Sequence, residues 1–413
     1  MKVMVVSHEW ERLAPGGAQR SASALAYGLA TERGCEVCLA SAIRDTQSFT
    51  GQPERLDNGS LLEVQVESET DGHTFTWLNP SNALRWEQAF ESFSPDVVHL
   101  HHYYQVGIDL PLVVRSLFPS VPIILTLHEY LAICLQMGQM VDTSGNLCLS
   151  SSAVRCGKCV DWPIERAFVR ESYLRLALDN VDAFIAPSHF ARERYIHWGL
   201  PADRIHNIPN ALDLEQLDRK HRARGDLPLR VVYIGQFTPF KGVEVLLEAL
   251  RLAETEHAGL VRADFHGGGG DAFGSEYTDR ISRAQAAAAS SSRFFGPYQQ
   301  RNLPEILDGA DLLVVPSTWW ENSPVVIEEA LARRVPVVCS DIGGMSEKVR
   351  HGVDGFHFQV GNPAALADLL VRLALQPEQL QLNQMRRPAP LADVVQAHIQ
   401  LYKRTLKVVT SRT

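Results

Sequence analysis

The sequence predicts an α/β protein built from two Rossmann-like units, and three observations carry that prediction. Short β-branched runs alternate with longer amphipathic stretches along almost the whole chain, the pattern of parallel sheets covered by helices. A polar, Arg- and Asp-rich connector from Asp213 to Asp226 interrupts this pattern once, after which it restarts. At 413 residues the chain is also longer than a single core usually grows. The expected domains are 1–213 and 214–390, with a terminal helix in 391–413 packing back on the first unit.

In the first unit the expected strands are Val3 to Ser7, Glu36 to Ala42, Asp96 to Leu100, Ile123 to Leu127, Asp182 to Pro187 and Ile205 to Asn210. A loop holding Gly16 and Gly17 leads into a helix over Ala18 to Arg33. In the second unit they are Leu229 to Ile234, Ala263 to His266, Phe294 to Phe295, Leu312 to Pro316 and Val335 to Ser340. Pro388 and Pro390 break the chain before a last helix over Leu391 to Leu406.

With 45% apolar and 21% charged residues, the composition is that of a globular chain and excludes disordered, collagenous and coiled-coil classes. The net charge of −9 argues against nucleic acid as a partner. All of that excess lies in residues 1–213, where 16 Lys and Arg face 25 Asp and Glu; residues 214–413 hold 23 of each. The apolar run in MKVMVVSHEW is too short for a signal peptide or a membrane span, so the expected location is cytoplasmic.

Ligands of open parallel sheets bind at the carboxyl ends of strands, which directs attention to the loops that follow them. After Leu312 to Pro316 come Ser317, Thr318, Trp319, Trp320, Glu321, Asn322, Ser323 and Pro324, then a helix carrying Glu328 and Glu329. Ser323 fits an N-cap and Pro324 the first turn, leaving the amides of Val325 and Val326 as donors for an anion such as a diphosphate. Glu321 and Glu329 would flank that anion and accept bonds from sugar and ribose hydroxyls. Trp319 and Trp320 suit either stacking on a sugar or closing a wall. The turn Gly235 to Gly242 contains Gln236 and Lys241, and a lysine there can neutralise phosphate as a point charge. His266 and four glycines, including Gly268, follow the next strand and permit close backbone approach.

This ordered series resembles the retaining glycosyltransferases of family 4, which have the GT-B fold of two Rossmann-like domains facing a central cleft. The resemblance rests on PSTWWENSPVVIEEALA with Glu321 and Glu329, then VPVVCSDIGG and HGVDGFHF, with GGAQ at Gly16 to Gln19 and IPNALD at Ile208 to Asp213. It implies that Glu329 holds the ribose, that Glu321 lies beside the donor sugar, and that Lys241 balances the departing diphosphate. It further implies that the segment Phe294 to Tyr298 reads the nucleobase, that Gly16 and Gly17 lie near the diphosphate, and that His128 stands near the donor sugar. Ser188 is a weaker contact. The family's usual arginine is replaced by Gln236. The implied reaction moves a sugar from a UDP-, GDP-, ADP- or TDP-sugar to an acceptor hydroxyl, by front-face attack with retention and without a catalytic metal, in surface polysaccharide or glycoconjugate synthesis. Two alternatives are a nucleotide-sugar-binding protein with impaired catalysis and another GT-B enzyme such as an epimerase or phosphorylase.

Four of seven cysteines, Cys134, Cys148, Cys156 and Cys159, fall in C-x13-C-x7-C-x2-C spacing. In a polar loop they fit a structural zinc site, with an iron–sulfur cluster as a lesser option, reduced free thiols, or a redox or disulfide role. Arg192, Arg194 and Arg204 leave room for a weak membrane contact at most.

Overall fold

The computed structural model describes residues 1–8, 16–43, 54–56, 61–67, 80–215 and 227–411. Most of the connector, 216–226, therefore lies outside the described residues. The chain divides into two compact units, Met1–Asp213 with Ala389–Thr413, and Leu214–Pro388.

The first unit runs β1 (Lys2–His8), α1 (Gly17–Thr31), β2 (Glu36–Ile43), β3 (Glu54–Leu56), β4 (Leu61–Glu67), α2 (Pro80–Phe93), β5 (Val97–Leu100), α3 (Leu110–Leu117), β6 (Ile123–Thr126), α4 (Ala153–Cys159), α5 (Ile164–Leu178), β7 (Ala183–Ala186), α6 (His189–Trp198) and β8 (Ile205–Asn207). The second runs β9 (Leu229–Ile234), α7 (Val243–Glu256), β10 (Val261–His266), α8 (Ser275–Ala287), β11 (Ser292–Gly296), α9 (Leu303–Gly309), β12 (Leu312–Val315), α10 (Val325–Ala332), β13 (Val337–Ser340), α11 (Gly343–Lys348), β14 (Gly355–Phe358) and α12 (Pro363–Leu375). The last helix, α13 (Leu391–Thr410), belongs to the first unit.

Sheet order is β3-β4-β2-β1-β5-β6-β7-β8 in the first unit and β11-β10-β9-β12-β13-β14 in the second. All described pairings are parallel except β3 with β4. Val3 to Val6 are fully buried, as expected of a parallel strand covered on both faces. In the second unit α7 buries Leu246, Leu247 and Leu250 completely, each contributing about 1.5–3 kcal/mol of burial. Helix α13 docks on α1, where a Cβ added to Gly28 would stand 2.6 Å from Val395 Cγ2. Its Tyr402 hydroxyl lies 2.6 Å from His99 Nδ1 on β5.

Some elements depart from the sequence reading. Strands β3, β4 and β14 are additional to it. In β4 the alternation LLEVQVE is masked by charge, because Glu63 is buried and accepts the Tyr27 hydroxyl at 3.0 Å. Strand β8 stops at Asn207, short of the expected Asn210. Pro209 has no N–H for the ladder, and the Asn207 side chain instead bonds the carbonyls of Ala186 and Ser188.

Each sheet has one topological switch point, where strand order reverses and a crevice opens at the carboxyl ends. In the first sheet it lies between β1 and β5, and in the second between β9 and β12.

Candidate active site

In the second unit the switch point brings together the loop after β9, which carries Lys241, and the loop after β12, which carries Glu321. Close backbone approach makes this possible. Gly242 has φ +71, and a Cβ there would fall 1.9 Å from the Pro316 carbonyl oxygen. The Thr318 N–H donates to the Phe240 carbonyl at 2.8 Å, tying the two loops. Gly267 does the same for the neighbouring turn, since its Cβ would meet the Gly235 oxygen at 1.7 Å. Phe237 N–H then donates to the Gly268 carbonyl at 2.8 Å.

Lys241 Nζ donates to Glu321 Oε1 at 2.6 Å, and the same oxygen accepts from Ser317 Oγ and Trp319 Nε1, both at 2.8 Å. All three bonds converge on Oε1. Burial alone would raise the Glu321 pKa, but the Lys241 charge and these bonds outweigh it and hold the carboxyl below its ordinary value. Trp319 stacks on Phe240 with ring centroids 5.9 Å apart, and Lys241 Nζ lies 5.3 Å from the Trp319 ring. Its indole N–H thus gives Trp319 a role that the sequence did not show. From below, the Gly344 N–H donates to the Glu321 carbonyl at 2.8 Å. A Cβ on Gly344 would fall 1.6 Å from the Asn322 oxygen.

Helix α10 begins one residue later than its sequence suggests. Its N-cap is Pro324, with no side-chain cap bond, so Ser323 is not the cap. Pro324 takes extended ψ (119°), which sets the first helical residue at Val325. The first-turn amides of Val325 and Val326 are therefore not capped by a side chain. The adjacent glutamates diverge. Glu328 is held by Arg386 at 2.8 and 2.9 Å and lies 3.6 Å from Lys348, a structural ion pair. Glu329, likewise buried, accepts from Gln300 Nε2 at 2.7 Å. Gln300 was not anticipated from the sequence; its position just past Tyr298, itself packed on the α9–α10 apolar cluster, is the signal that could have found it. Gln236 is exposed, and its carbonyl accepts the Tyr233 hydroxyl at 2.8 Å.

In the first unit the switch point is furnished with histidines. His8 ends β1, and His99, His101 and His102 come from the end of β5. His101 Nδ1 lies 3.1 Å from His128 Nε2, which follows β6. The His8 and His102 rings lie 4.3 Å apart. Burial lowers all of these; His8 falls to about 4, and His128 to about 3 with help from the charge of His8. Glu129, whose Oε1 lies 3.6 Å from His102 Nε2, is pushed up by burial to about 8. Of this cluster only His128 was singled out from the sequence, and the dense HLHHYY run is the signal that could have found the rest. Helix α1 starts at Gly17 with Gly16 as an N-cap that offers no side-chain bond, and a Cβ on Gly16 would meet Gln19 Oε1 at 2.4 Å.

Other sequence candidates have structural partners. Ser188 caps α6, accepting the Ala191 N–H at 3.0 Å. Arg192, Arg194 and Arg204 donate to backbone carbonyls of Ile205, Leu149 and Val181. No helix among the described residues is long and apolar enough to cross a membrane.

The sequence pattern of the family described as Glycosyltransferase Family 4 matches residues 15–216, and that of Glycosyl transferases group 1 matches residues 215–388. The chain belongs to the family 4 glycosyltransferases. Its fold is GT-B, with two Rossmann-like domains. Among relatives, the amylovoran biosynthesis glycosyltransferase AmsK of Erwinia amylovora is 27% identical over 215 residues, 50% of either chain. The D-inositol 3-phosphate glycosyltransferase of Mycobacterium leprae is 28% identical over 314 residues, 72% of this chain and 65% of that protein. The matched stretch thus spans half to two thirds of these relatives. The structure of Anabaena HepE in complex with UDP and glucose aligns with TM-score 0.69 and 17% identity, covering 98% of this chain and 100% of HepE. Sucrose-phosphate synthase of Thermosynechococcus elongatus aligns with TM-score 0.69 and 18% identity, covering 99% of this chain and 100% of that one.

Proposed function

We propose that this protein is a retaining glycosyltransferase that moves a sugar from a nucleoside diphosphate donor to an acceptor hydroxyl. The observation that carries the proposal is the Lys241–Glu321 pair at the switch point of the second sheet, followed directly by the uncapped start of α10. In this reading the diphosphate lies on the first-turn amides of α10, and Lys241 offsets the charge that grows as the glycosidic bond breaks. With Oε1 of Glu321 occupied by three donors, Oε2 is the oxygen offered to the sugar hydroxyls. Glu329, oriented by Gln300, accepts from the ribose.

In this reading, as the resemblance to the retaining family implies, the acceptor attacks from the front face, with the diphosphate taking the acceptor proton and the protein supplying position and charge balance. His128, in the first unit, is the residue that the family resemblance assigns to the donor sugar, and burial keeps its ring neutral. No divalent metal is assigned to the reaction. A donor in the uridine series is supported by the UDP and glucose held by HepE, and a role in polysaccharide or glycoconjugate synthesis by the similarity to the amylovoran biosynthesis glycosyltransferase AmsK.

A thermal-shift screen of nucleoside diphosphates tests the donor, since a specific ligand stabilises the fold by mass action. Release of nucleoside diphosphate on acceptor addition, kept in EDTA and lost in Glu321→Gln, tests the reaction; proton NMR of the product's anomeric centre tests retention. Full turnover by Glu321→Gln would remove the catalytic assignment. The exposed Gln236 in place of an arginine favours one rival, a binding protein without turnover. That rival predicts donor-dependent stabilisation with no diphosphate release.

A further inference from the structure

Two groups of side chains lie outside the second-unit site. Cys134, Cys148, Cys156 and Cys159 line one cavity of about 270 Å³, but among the described residues no three of them stand placed to hold an ion, and the Cys159 thiol donates to Gln136 Oε1 at 2.9 Å. At the switch point of the first sheet, by contrast, two histidines stand within bonding distance of each other.

His101 is 2% exposed, and its backbone N–H donates to the Val6 carbonyl at 2.8 Å. Its ring lies against that of His99, with centroids 4.4 Å apart. The His99 ring is held at both nitrogens, by the Tyr402 hydroxyl at 2.6 Å and by Thr126 Oγ1 at 2.8 Å. Hydroxyls both donate and accept, so either tautomer of His99 is satisfied. His101 has no such freedom. Its Nδ1 lies 3.1 Å from His128 Nε2, and its Nε2 is sealed from solvent with no hydrogen-bond partner among the described residues. His128 is partly exposed, and with its Nε2 engaged it has Nδ1 left to offer the crevice.

Burial keeps both rings neutral, so a single proton lies between the two nitrogens. Were His128 the donor, His101 would accept at Nδ1 and carry its own proton on Nε2, an N–H closed off from any acceptor. With His101 as the donor, only a lone pair is left there. A buried N–H without an acceptor is the rarer of these two faults in folded proteins. We propose that His101 is a positioning residue, which donates from Nδ1 to His128 Nε2 and so fixes His128 as the tautomer that presents an Nδ1–H to the crevice. Such an N–H suits an oxygen. Resting on the transferase function proposed above, its partner is an oxygen of the donor sugar, met by a neutral donor and not by an imidazolium. His101 itself touches no substrate.

Nitrogen NMR of the full chain with isotope-labelled histidine rings, without substrate and near neutral pH, distinguishes protonated from bare ring nitrogens. His101→Asn and His128→Asn assign the signals. Protons are expected on Nδ1 of both His101 and His128, with both Nε2 atoms bare. A proton on His128 Nε2 overturns the proposal. Kinetics separate positioning from packing. His101→Phe keeps a buried ring and removes the donor; it should lower nucleoside diphosphate release about tenfold and leave His128 as a mixture of tautomers. His101→Asn, whose amide nitrogen can stand where Nδ1 stood, should recover most of the rate. At His128, Asn places an N–H where Nδ1 stands and Gln where Nε2 stands, so His128→Asn should outperform His128→Gln. The reverse order, or an unchanged His128 spectrum in His101→Phe, overturns the proposal. If His101→Phe does not fold, the spectrum of the unmodified protein decides. A protein that shows the expected spectrum but releases no diphosphate supports the tautomer and counts against the transferase function.

Discussion

At the switch point of the second sheet, a lysine and a glutamate meet as a charged pair 2.6 Å apart, with a serine and an indole completing one carboxylate oxygen. At the switch point of the first sheet, the titratable groups are histidines that burial keeps neutral, beside a glutamate that burial pushes toward protonation. The same crevice of the same fold type is thus polarised in one unit and held neutral in the other. Burial acts alike on both. What differs is whether an opposite charge reaches the buried group, and Lys241 does so only because Gly242 lets two loops touch.

The comparison can be broken most severely at Lys241. Lys241→Ala is expected to lower transfer by about a thousandfold, read as nucleoside diphosphate release, because a positioned charge acts mainly on the transition state. The same change should raise the Glu321 pKa, visible as a shifted pH profile of residual activity. An unshifted profile would mean that the pair does not set the carboxylate's state.

Next in size is Gly344→Ala. Its Cβ would need the space of the Asn322 oxygen 1.6 Å away, so the loop under Glu321 must move. A loss of about 3 kcal/mol is expected in urea unfolding of the second unit, with the first unit unaffected.

The first unit should respond to acid. His8 and His128 fall to about 4 and about 3 when folded but stand near 6.5 unfolded, so between those values the unfolded chain binds more protons. Their stability contribution is whole above pH 6.5 and is lost as the pH falls toward 4. Glu129 has the opposite sign: raised to about 8, it erodes stability as the pH climbs from about 4.5 toward 8. Below pH 6.5 the several histidines outweigh one carboxyl. Hydrogen exchange followed from pH 7 to pH 4.5 should show β1 and β5 opening first; if the second sheet opens earlier, the histidines are not the weak point.

Trp319→Phe retains the stack on Phe240 and removes one donor to Glu321, and should cost about 1 kcal/mol, a several-fold loss in transfer. The smallest effect is expected for Gln236→Arg, a few-fold gain in turnover if the exposed turn lacks only a charge. Unchanged kinetics would show that Lys241 and the α10 amides already suffice.

Much of this was legible in the chain. Alternating β-branched and amphipathic segments placed most strands, and the spacing of Glu321 and Glu329 around a helix start marked the candidate site. The α10 cap was misplaced by one residue, because Pro at a helix start fits either the cap or the first turn and only its ψ distinguishes them. Strand β4 hid behind Glu63, whose partner Tyr27 lies on another element.

Period and motif are local properties, so the residues themselves dictate the two parallel sheets, the glycine turns and which glutamates can serve a ligand. Partners separated by many residues are another matter. Lys241 meets Glu321 across 80 positions, His99 meets Tyr402 across 303, and Glu328 turns to Arg386 while its neighbour Glu329 turns to Gln300. Those pairings arise where sheet order reverses and helices dock, and they determine which buried groups carry charge. Chain chemistry names the candidates, and packing assigns each its protonation state and its role.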